Sequence, residues 1–279
     1  MQACAGSETR VVRMDNHERY MVPGLTRGLE ILKLLSTEGG VLALTEIAKH
    51  LKISRSSAYR LLYTLEHLGY VERVEDSKRY RLGPRVLDLG FGYLSSLDVV
   101  STARLPLERL RDELNMSAHL VIRDGLDVVY LLRCAANNYM TSNVHVGTRF
   151  PAHATSHGQV LLADLSDDEI AGMYRNVRMK AFTSDTPTSV SKLLDRVREA
   201  RAKGCLVAWG LFDRGLASVA APVRDATGRA IAAINVTCPI TQFESKAIFE
   251  KRAVSKVVAT AAAISRDLGF RSSTRSQSA

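Results

Sequence analysis

The chain has 279 residues, of which 46% are hydrophobic and 24% are charged. This composition is typical of a folded globular protein with room for two modest domains. Because no apolar run approaches the roughly 20 residues that a membrane-spanning helix needs, we expect no membrane partner. The formal net charge of +9 and the pI near 9.5 suit a polyanionic partner without establishing one.

The cysteines and the N-terminal segment indicate a cytoplasmic protein. Cys4, Cys134, Cys205 and Cys238 show no metal-ligand spacing, which is typical of reduced thiols in a cytosolic protein. The first 20 residues are polar and of mixed charge, unlike a signal peptide. They also lack a periodic pattern, so we expect residues 1–20 to form a flexible arm.

Residues 21–83 carry the apolar spacing of three short helices, starting at the Pro23-Gly24 break. The first helix has an apolar stripe of Leu25, Leu29, Leu32 and Leu35. We expect this helix to pack under the other two and to end at residues 38–40. The stripes of the next two are Leu44, Ile47, Ala48 and Leu51, then Ala58, Leu61, Leu62, Leu65 and Leu68. Ser54 can cap the third helix, and Gly69 can end it. This pair of helices around a tight turn indicates a helix-turn-helix.

Two alternating runs at residues 70–74 and 79–83 follow this pair and flank a polar turn, which predicts the hairpin wing of a winged helix-turn-helix. With its stripe buried, the third helix turns basic and hydroxyl side chains outward, where they suit guanine edges and phosphates. The candidate DNA-binding residues are Thr45, Lys52, Ser54, Arg55, Ser56, Ser57, Tyr59, Arg60, Tyr63, Lys78 and Arg79. The plain alternative is an ordinary helical pair with a solvated charged face. The ordered succession of helices and hairpin favours DNA.

Residues 84–98 are predicted to form a linker helix, in which Gly90 and Gly92 allow some bending. A second domain is expected at residues 99–270. Its first helix is predicted from Val99, with the apolar stripe Ala103, Leu107, Leu110 and Leu114. Three more helices are predicted at residues 156–165, 190–203 and 245–268. Five strands are predicted at residues 118–123, 128–132, 205–208, 216–223 and 230–237. Turn residues at Asp124-Gly125 and at 224–229 predict hairpins, so we expect an α+β fold around a mainly antiparallel sheet. Residues 271–279, rich in Ser and Arg, are expected to be a disordered tail.

Several segments resemble the IclR family of bacterial transcriptional regulators. In the first domain they are residues 24–32 (GLTRGLEIL), 54–62 (SRSSAYRLL) and 80–83 (YRLG). In the second domain they are residues 147–163, 215–223 and 232–237. The resemblance covers residues 24–270, and the opening GLTRGL is similar to members that govern the catabolism of aromatic acids.

The resemblance implies a winged helix-turn-helix joined by a linker helix to an α/β effector-binding domain. It also implies homodimers or tetramers on double-stranded DNA operators, modulated by a small organic acid. Family pocket positions fall on Gly158, Ala208, Ser218, Asn235 and Thr237, and the helix start at Ser156 adds a hydroxyl and a favourable dipole for an anion. Ala208 stands where some glyoxylate- and pyruvate-responsive members carry an acidic residue, and Asn235 replaces a serine. Ala208 with Trp209 beside it suits a larger, flatter ligand, so we expect an aromatic acid.

Two functions other than a DNA-binding regulator are considered. His153 and His157 are four residues apart and His145 is close in sequence, and histidines at such spacing can bind a metal ion or serve in a hydrolase. No Glu follows His153, and no nucleophile lies at a fixed spacing from a base, so we expect no metal, no cofactor and no catalytic residue. A pocket-lining or capping histidine is the favoured interpretation. The second rival is a ligand-binding interaction module whose helix-turn-helix contacts protein, in which Arg55→Ala and Arg60→Ala would leave DNA affinity unchanged.

Overall fold

The computed structural model describes residues 20–36, 40–75, 77–136 and 144–271. The expected arm at residues 1–20 and tail at 271–279 lie outside these residues, apart from Tyr20 and Arg271, and so do Glu38 and Gly39 at the expected end of the first helix. The described residues form two compact units that meet in sequence between Tyr93 and Leu94. Each unit has its own core.

The first unit is a small winged helix-turn-helix. Its elements are α1 (Pro23–Leu35), β1 (Leu42–Ala43), α2 (Leu44–His50), α3 (Arg55–His67), β2 (Val71–Arg73), β3 (Arg79–Leu82) and the start of α4 (Arg85–Ser95). The strands form an antiparallel sheet in the order β1-β3-β2. The core that joins helices and sheet is built from Ile31, Leu35, Ile47, Leu62, Val71 and Tyr80. The expected helix pair and hairpin wing are confirmed.

The ends of α2 and α3 are set by short-range hydrogen bonds. The Ser54 hydroxyl caps α3 by accepting the Ser57 N–H at 3.2 Å, as expected. At the other end Gly69 adopts φ +75°, and the Tyr70 N–H reaches the Leu65 carbonyl at 2.9 Å, the pattern of a Schellman cap. The end of α2 uses the same pattern with Lys52 at φ +52°, where glycine would be the unstrained choice.

Part of the expected packing in this unit is wrong. Leu25 and Leu29 are 63% and 57% exposed, and Leu68 is 44% exposed. Leu35 of the expected stripe is buried and Leu32 packs partly buried against the core, and the other fully buried residue of α1 is Ile31, four residues before Leu35 on the same side of the helix. The small core reaches only the second half of α1, so a stripe that runs the whole helix cannot be buried.

The second unit is a six-stranded antiparallel sheet between two layers of helices. Its elements are α5 (Asp98–Leu114), β4 (Ser117–Asp124), β5 (Asp127–Cys134), β6 (Arg149–Pro151), α6 (Ser156–Leu162), α7 (Asp167–Tyr174), α8 (Val190–Lys203), β7 (Leu206–Trp209), β8 (Leu216–Arg224), β9 (Ala230–Pro239) and α9 (Lys246–Asp267), with 3-10 turns at Ala152–Ala154 and Ile240–Gln242. The strand order is β6-β5-β4-β9-β8-β7. Helices α5 and α9 cover one sheet face, and α6, α7 and α8 cover the other. The expected α+β fold is confirmed.

The predicted stripe of α5 is also confirmed, since Ala103, Leu107, Leu110 and Leu114 are all buried in the core that α5 and α9 share with the sheet. A β-bulge then changes which face the side chains of β5 meet. Leu120 and Val121 are neighbours on β4, but their partners on β5, Leu132 and Tyr130, are two residues apart. This extra residue turns Tyr130 to the α6 face of the sheet, although strict alternation from Leu132 would place it on the other face.

Candidate nucleic-acid interface and ligand cavity

Helix α3 presents a basic and aromatic face to solvent. Arg55, Ser56, Tyr59, Arg60 and Tyr63 are all exposed, as expected. The Tyr59 and Tyr63 rings lie 6.3 Å apart, one turn from each other along the helix. In the part of the chain that the structure describes, Arg55 and Arg60 form no ion pair, so both guanidinium groups are available for phosphates or base edges.

The hydroxyls at the start of α3 divide into two roles. Ser54 caps the helix and also donates to the Ser57 hydroxyl at 2.9 Å. Ser56 contacts the Ser54 hydroxyl at 3.0 Å and remains exposed. Ser54 and Ser57 are therefore engaged in shaping the turn, and Ser56 is the hydroxyl that faces outward.

A groove between α2 and α3 carries more positive charge. It is lined by Thr45, Glu46, Ala48, Lys49, Lys52, Ile53 and Arg55. Thr45 and Lys52 from the candidate set lie here beside Arg55, and the ammonium groups of Lys49 and Lys52 are exposed. The basic side chains of the groove suit the backbone of a polyanion.

The wing residues differ from one another in their bonding. The Arg79 guanidinium donates to the Val41 carbonyl at 3.0 Å and to Glu46 at 3.2 Å, which ties β3 to the start of α2. Lys78 is exposed at the wing tip and forms no ion pair among the described residues. Of the two candidate wing residues, Lys78 is the one whose charge is free.

The second unit contains a cavity of about 260 Å³ between the sheet and α6. Its walls come from β4, β5, β6 with the segment before it, the turn before α6, α6 itself, and strands β7, β8 and β9 with the loop after β7. The lining residues are His119, Tyr130, Val144, Phe150, Thr155, Ser156, His157, Ala208, Leu211, Phe212, Asp213, Leu216, Ser218, Asn235 and Thr237. A concave, largely apolar space with a few polar groups is typical of a small-molecule site.

Five of the six predicted effector positions line this cavity together. Strand register places Ala208 beside Ser218 and Ser218 beside Thr237 across β7, β8 and β9. The Ser156 hydroxyl on α6 lies 2.9 Å from the Ser218 hydroxyl on β8. The Asn235 side-chain N–H donates to the Thr237 hydroxyl at 2.9 Å. This row of polar groups forms one wall.

Gly158, the sixth position, does not line the cavity. Its N–H donates to the Thr155 hydroxyl at 3.2 Å, which completes the cap of α6. A Cβ on Gly158 would lie 2.3 Å from the Ala152 carbonyl oxygen, so α6 packs directly on the preceding 3-10 turn. The observed role of Gly158 is close backbone packing that positions Ser156 and His157 on the cavity wall.

The aromatic wall comes from residues that sequence reasoning missed. Phe212 packs between Phe150 and Phe182, with ring centroids 4.6 and 4.5 Å away. Trp209, which was expected to shape the site, instead packs on Phe249 at 6.0 Å on the opposite face of the sheet. Adjacent strand residues point to opposite faces, so Ala208 in the cavity excludes Trp209 from it.

Two buried histidines and a tyrosine also line the cavity. The rings of His119 and His157 each lie 5.3 Å from the ring of Tyr130, edge to face. Burial lowers the pKa of His119 to about 4 and that of His157 to about 3, so both are neutral at neutral pH. Burial also raises the pKa of the Tyr130 hydroxyl. The sequence analysis considered His157 as a metal ligand and favoured a pocket-lining or capping role, whereas His119 and Tyr130 carried no motif.

The histidines weighed as a metal site do not act together. His153 Nε2 contacts the Lys180 carbonyl at 3.1 Å, and its ring packs near Tyr174. His157 packs on Tyr130 instead, and His145 is exposed. Within the described ranges no group of three or more His, Cys, Asp or Glu residues could hold a metal ion. His157 lines the cavity, which was the favoured interpretation.

Comparison with known proteins identifies relatives of both units. A family model for the IclR helix-turn-helix domain matches residues 24–75, and one for the C-terminal part of bacterial transcriptional regulator IclR matches residues 91–266. The Pca regulon regulatory protein of Pseudomonas putida is 34% identical over 214 residues, which are 76% of this chain and 73% of that protein. These matched proteins are transcriptional regulators and not enzymes.

Solved structures show the same fold. An IclR transcriptional regulator from Alicyclobacillus acidocaldarius superimposes with a TM-score of 0.76 at 28% identity, covering 88% of this chain and 99% of that one. An IclR homologue from Microbacterium hydrocarbonoxydans, solved in complex with 4-hydroxybenzoate, has a TM-score of 0.77 at 22% identity, covering 88% and 98%. Across the described residues, no helix is long and apolar enough to cross a membrane.

Proposed function

The chain belongs to the IclR family of bacterial transcriptional regulators, and on that premise we propose that a small aromatic acid in the cavity modulates its binding to a DNA operator. We divide it into a DNA-binding domain at residues 21–83, a linker helix at 84–98 and an effector-binding domain at 99–270. The proposed working form is a cytoplasmic homodimer or tetramer. Two copies of α3 would then occupy major-groove half-sites about 10 base pairs apart, or a multiple of that spacing.

The observation that carries the effector proposal is the pairing of an aromatic wall with hydroxyl groups in one cavity. Phe150 and Phe212 offer flat faces on which an aromatic ring can stack. The Ser156 and Ser218 hydroxyls, 2.9 Å apart, can both turn their protons toward an oxygen atom of the ligand. Two relatives point the same way by name, the Pca regulon regulatory protein and the homologue complexed with 4-hydroxybenzoate.

The DNA-binding proposal rests on the exposed face of α3. Arg55 stands at the first position of the helix, where its guanidinium can fork onto a guanine edge. Arg60 lies further along the exposed face with Tyr59 and Tyr63. Lys52 and Lys78 add charge on either side of that face and suit the phosphate backbone.

The test of the DNA part compares three proteins on the DNA upstream of the protein's own gene across a salt series. Arg55→Ala is expected to weaken specific binding by about 1–3 kcal/mol if the side chain reads a base. Arg175→Ala removes the same charge from an exposed position in the second unit and is the matched control. Equal affinity of the Arg55 variant and the control would refute the assignment of α3, and binding no tighter than to random DNA would refute operator recognition.

The test of the effector part repeats the titration with a panel of aromatic and short-chain acids. One aromatic acid is expected to shift operator affinity, and Ser218→Ala is expected to reduce that shift while operator binding without ligand is unchanged. A shift caused only by short-chain acids would replace the aromatic ligand class. Operator binding that no acid alters would refute effector control and leave DNA binding intact.

A further inference from the structure

The cavity holds buried polar atoms that the protein itself leaves without partners. Among the described residues, both ring nitrogens of His119, both ring nitrogens of His157 and the side-chain oxygen of Asn235 form no hydrogen bond of normal geometry, although the Asn235 side chain lies close enough to His119 to oppose the lowering of its pKa by burial. His119 and Asn235 are 2% exposed and His157 is 3% exposed. All three line the same cavity. Buried polar groups are nearly always hydrogen-bonded, so these atoms mark the place where an occupant supplies the bonds.

The three groups converge because of strand register. His119 on β4 lies directly opposite Asn235 on β9, so their side chains share the α6 face of the sheet. The bulge in β5 brings Tyr130 to that face, where its ring contacts both imidazoles edge to face with a centroid distance of 5.3 Å to each. The result is a polar end of the cavity with four imidazole nitrogens and one amide oxygen.

The charge around this end sets what can bind there. No Lys or Arg is among the described residues that line the cavity, and Asp213 is the one charged side chain there. A carboxylate moved from water into such a space needs a compensating positive charge. Imidazole is the group in this lining that can acquire one by taking up a proton, because a bound carboxylate raises the pKa that burial has lowered.

The two histidines differ in their surroundings. His119 lies directly across the β4–β5 ladder from Arg133, whose guanidinium disfavours a second positive charge on His119. His157 on α6 faces His119 and Tyr130, which are neutral. Other groups near α6 are Arg196 on α8, which donates to Gln159 at 3.3 Å, and Asp213 in the loop after β7. Burial lowers the pKa of His157 further than that of His119, but Arg133 acts on His119 and no Lys or Arg of the described ranges acts on His157, so we assign the added proton to His157.

We propose that the acidic group of the ligand binds between His119 and His157, and that His157 takes up one proton from solution as the ligand binds. The ligand stays a carboxylate, His157 becomes an imidazolium, and His119 remains neutral and donates one ring N–H. This inference rests on the proposed effector function. It gives the site a regulatory property, because acidification strengthens ligand binding.

The pH dependence has a defined sign. Free His157 is neutral throughout the physiological range, whereas ligand-bound His157 carries a proton until the pH exceeds its new pKa. Binding is therefore linked to the uptake of one proton. As the pH is raised toward the pKa of ligand-bound His157, the dissociation constant of the ligand rises by up to tenfold per pH unit. A neutral ligand of the same shape gains nothing from the proton, so its affinity is independent of pH.

The experiment is titration calorimetry of the full chain with 4-hydroxybenzoate and its hydroxybenzoate isomers at pH 6.5, in two buffers of different ionisation enthalpy. Uptake of about one proton per ligand is expected for an acid that binds, and none for 4-hydroxybenzamide. His157→Gln keeps a polar side chain but cannot take up the proton, so it should abolish uptake and flatten the pH dependence. His145→Gln, at an exposed histidine of the same unit, is the matched control and should leave uptake unchanged.

The outcomes separate the two proposals. An acid that binds without proton uptake overturns the inference and leaves the effector function standing, as does uptake that persists in His157→Gln. If none of the hydroxybenzoates binds, the aromatic-acid function fails and the inference fails with it. Should His157→Gln not fold, ¹⁵N spectra of histidine-labelled wild-type protein decide the matter, since a ring must convert from neutral to imidazolium when the ligand is added.

Discussion

The packing of α6 on the turn that precedes it makes Gly158→Ala a quantitative test of how the cavity wall is built. The added Cβ would lie 2.3, 2.5 and 2.7 Å from the oxygen, Cα and carbonyl carbon of Ala152. These are backbone atoms, so relief requires α6 to move away from the 3-10 turn. Overpacking of this kind costs about 1–3 kcal/mol or more, against a gain of up to about 1 kcal/mol from the helix propensity of alanine. We expect a net loss of about 2 kcal/mol.

Gly172→Ala is the matched control. Gly172 lies in α7 of the same unit, and a Cβ there would meet nothing within 4 Å. The same substitution should therefore stabilise the protein by up to about 1 kcal/mol. Thermal unfolding followed by circular dichroism measures both, and a loss of 2 kcal/mol corresponds to a fall in Tm of about 4–8 °C for a unit of this size.

The result that would refute the reasoning is a Gly158→Ala protein as stable as wild type. If that protein also lost affinity for an acid ligand, Gly158 would act as a direct ligand contact, as the family resemblance implied. A large loss of Tm in Gly158→Ala, together with a gain in Gly172→Ala, supports the packing role.

Three further predictions concern the turn in the first unit, the buried histidines and the linker helix. Lys52→Gly should raise the free energy of unfolding by about 1 kcal/mol because it relieves the left-handed backbone at φ +52°; urea unfolding measures this, and the loss of the Lys52 charge should weaken operator binding in the same protein. Burial lowers the pKa of His119 to about 4 and that of His157 to about 3, from the ordinary 6.5. Below pH 6.5 both histidines are therefore protonated in the unfolded chain but stay neutral in the folded chain, and the free energy of unfolding falls as the pH drops. The loss by pH 5 should be about 2 kcal/mol per histidine, and His157→Gln should show a smaller loss in urea midpoints taken at pH 7.5 and 5. Gly90 and Gly92 are exposed positions in α4, where a Cβ would meet nothing within 4 Å. The double variant Gly90→Ala/Gly92→Ala should stiffen the helix and reduce the ligand's effect on operator affinity. An unchanged effect of the ligand would remove the linker helix from the mechanism.

Long elements with strong periodicity were predictable from the sequence, and short elements set by tertiary contacts were not. The α5 stripe and α8 are observed as expected, because an amphipathic helix of this length carries its own signal. Strands β1 and β6 have two and three residues, and each exists only because a partner strand pairs with it. Helix α7, whose capping box joins Ser166 and Glu169, was recognisable from that spacing but was not predicted.

The residues of the candidate cavity could also be predicted only in part. Asn235 and Thr237 could be placed on one wall because residues two apart on a strand share a face, and the strand register of the structure adds Ser218 to that wall, opposite Thr237. His119 and Tyr130 could not, since the side that Tyr130 faces depends on a bulge that no local pattern marks. The mistaken stripe of α1 has a similar cause, because the extent of the neighbouring core decides how much of a helix is covered.

The complete burial of α6 has a consequence for how ligand preference can diverge among related proteins. All seven residues from Ser156 to Leu162 are buried, and Gln159 on this helix donates to the His153 carbonyl and accepts from Arg196. A substitution in α6 therefore disturbs several neighbours at once, whereas in the loop after β7 Phe212 is only partly buried and Asp213 is exposed. The cavity has one wall that is costly to alter and one that is open to variation. New specificities are expected to arise by exchange of side chains in the loop after β7, with the α6 wall retained.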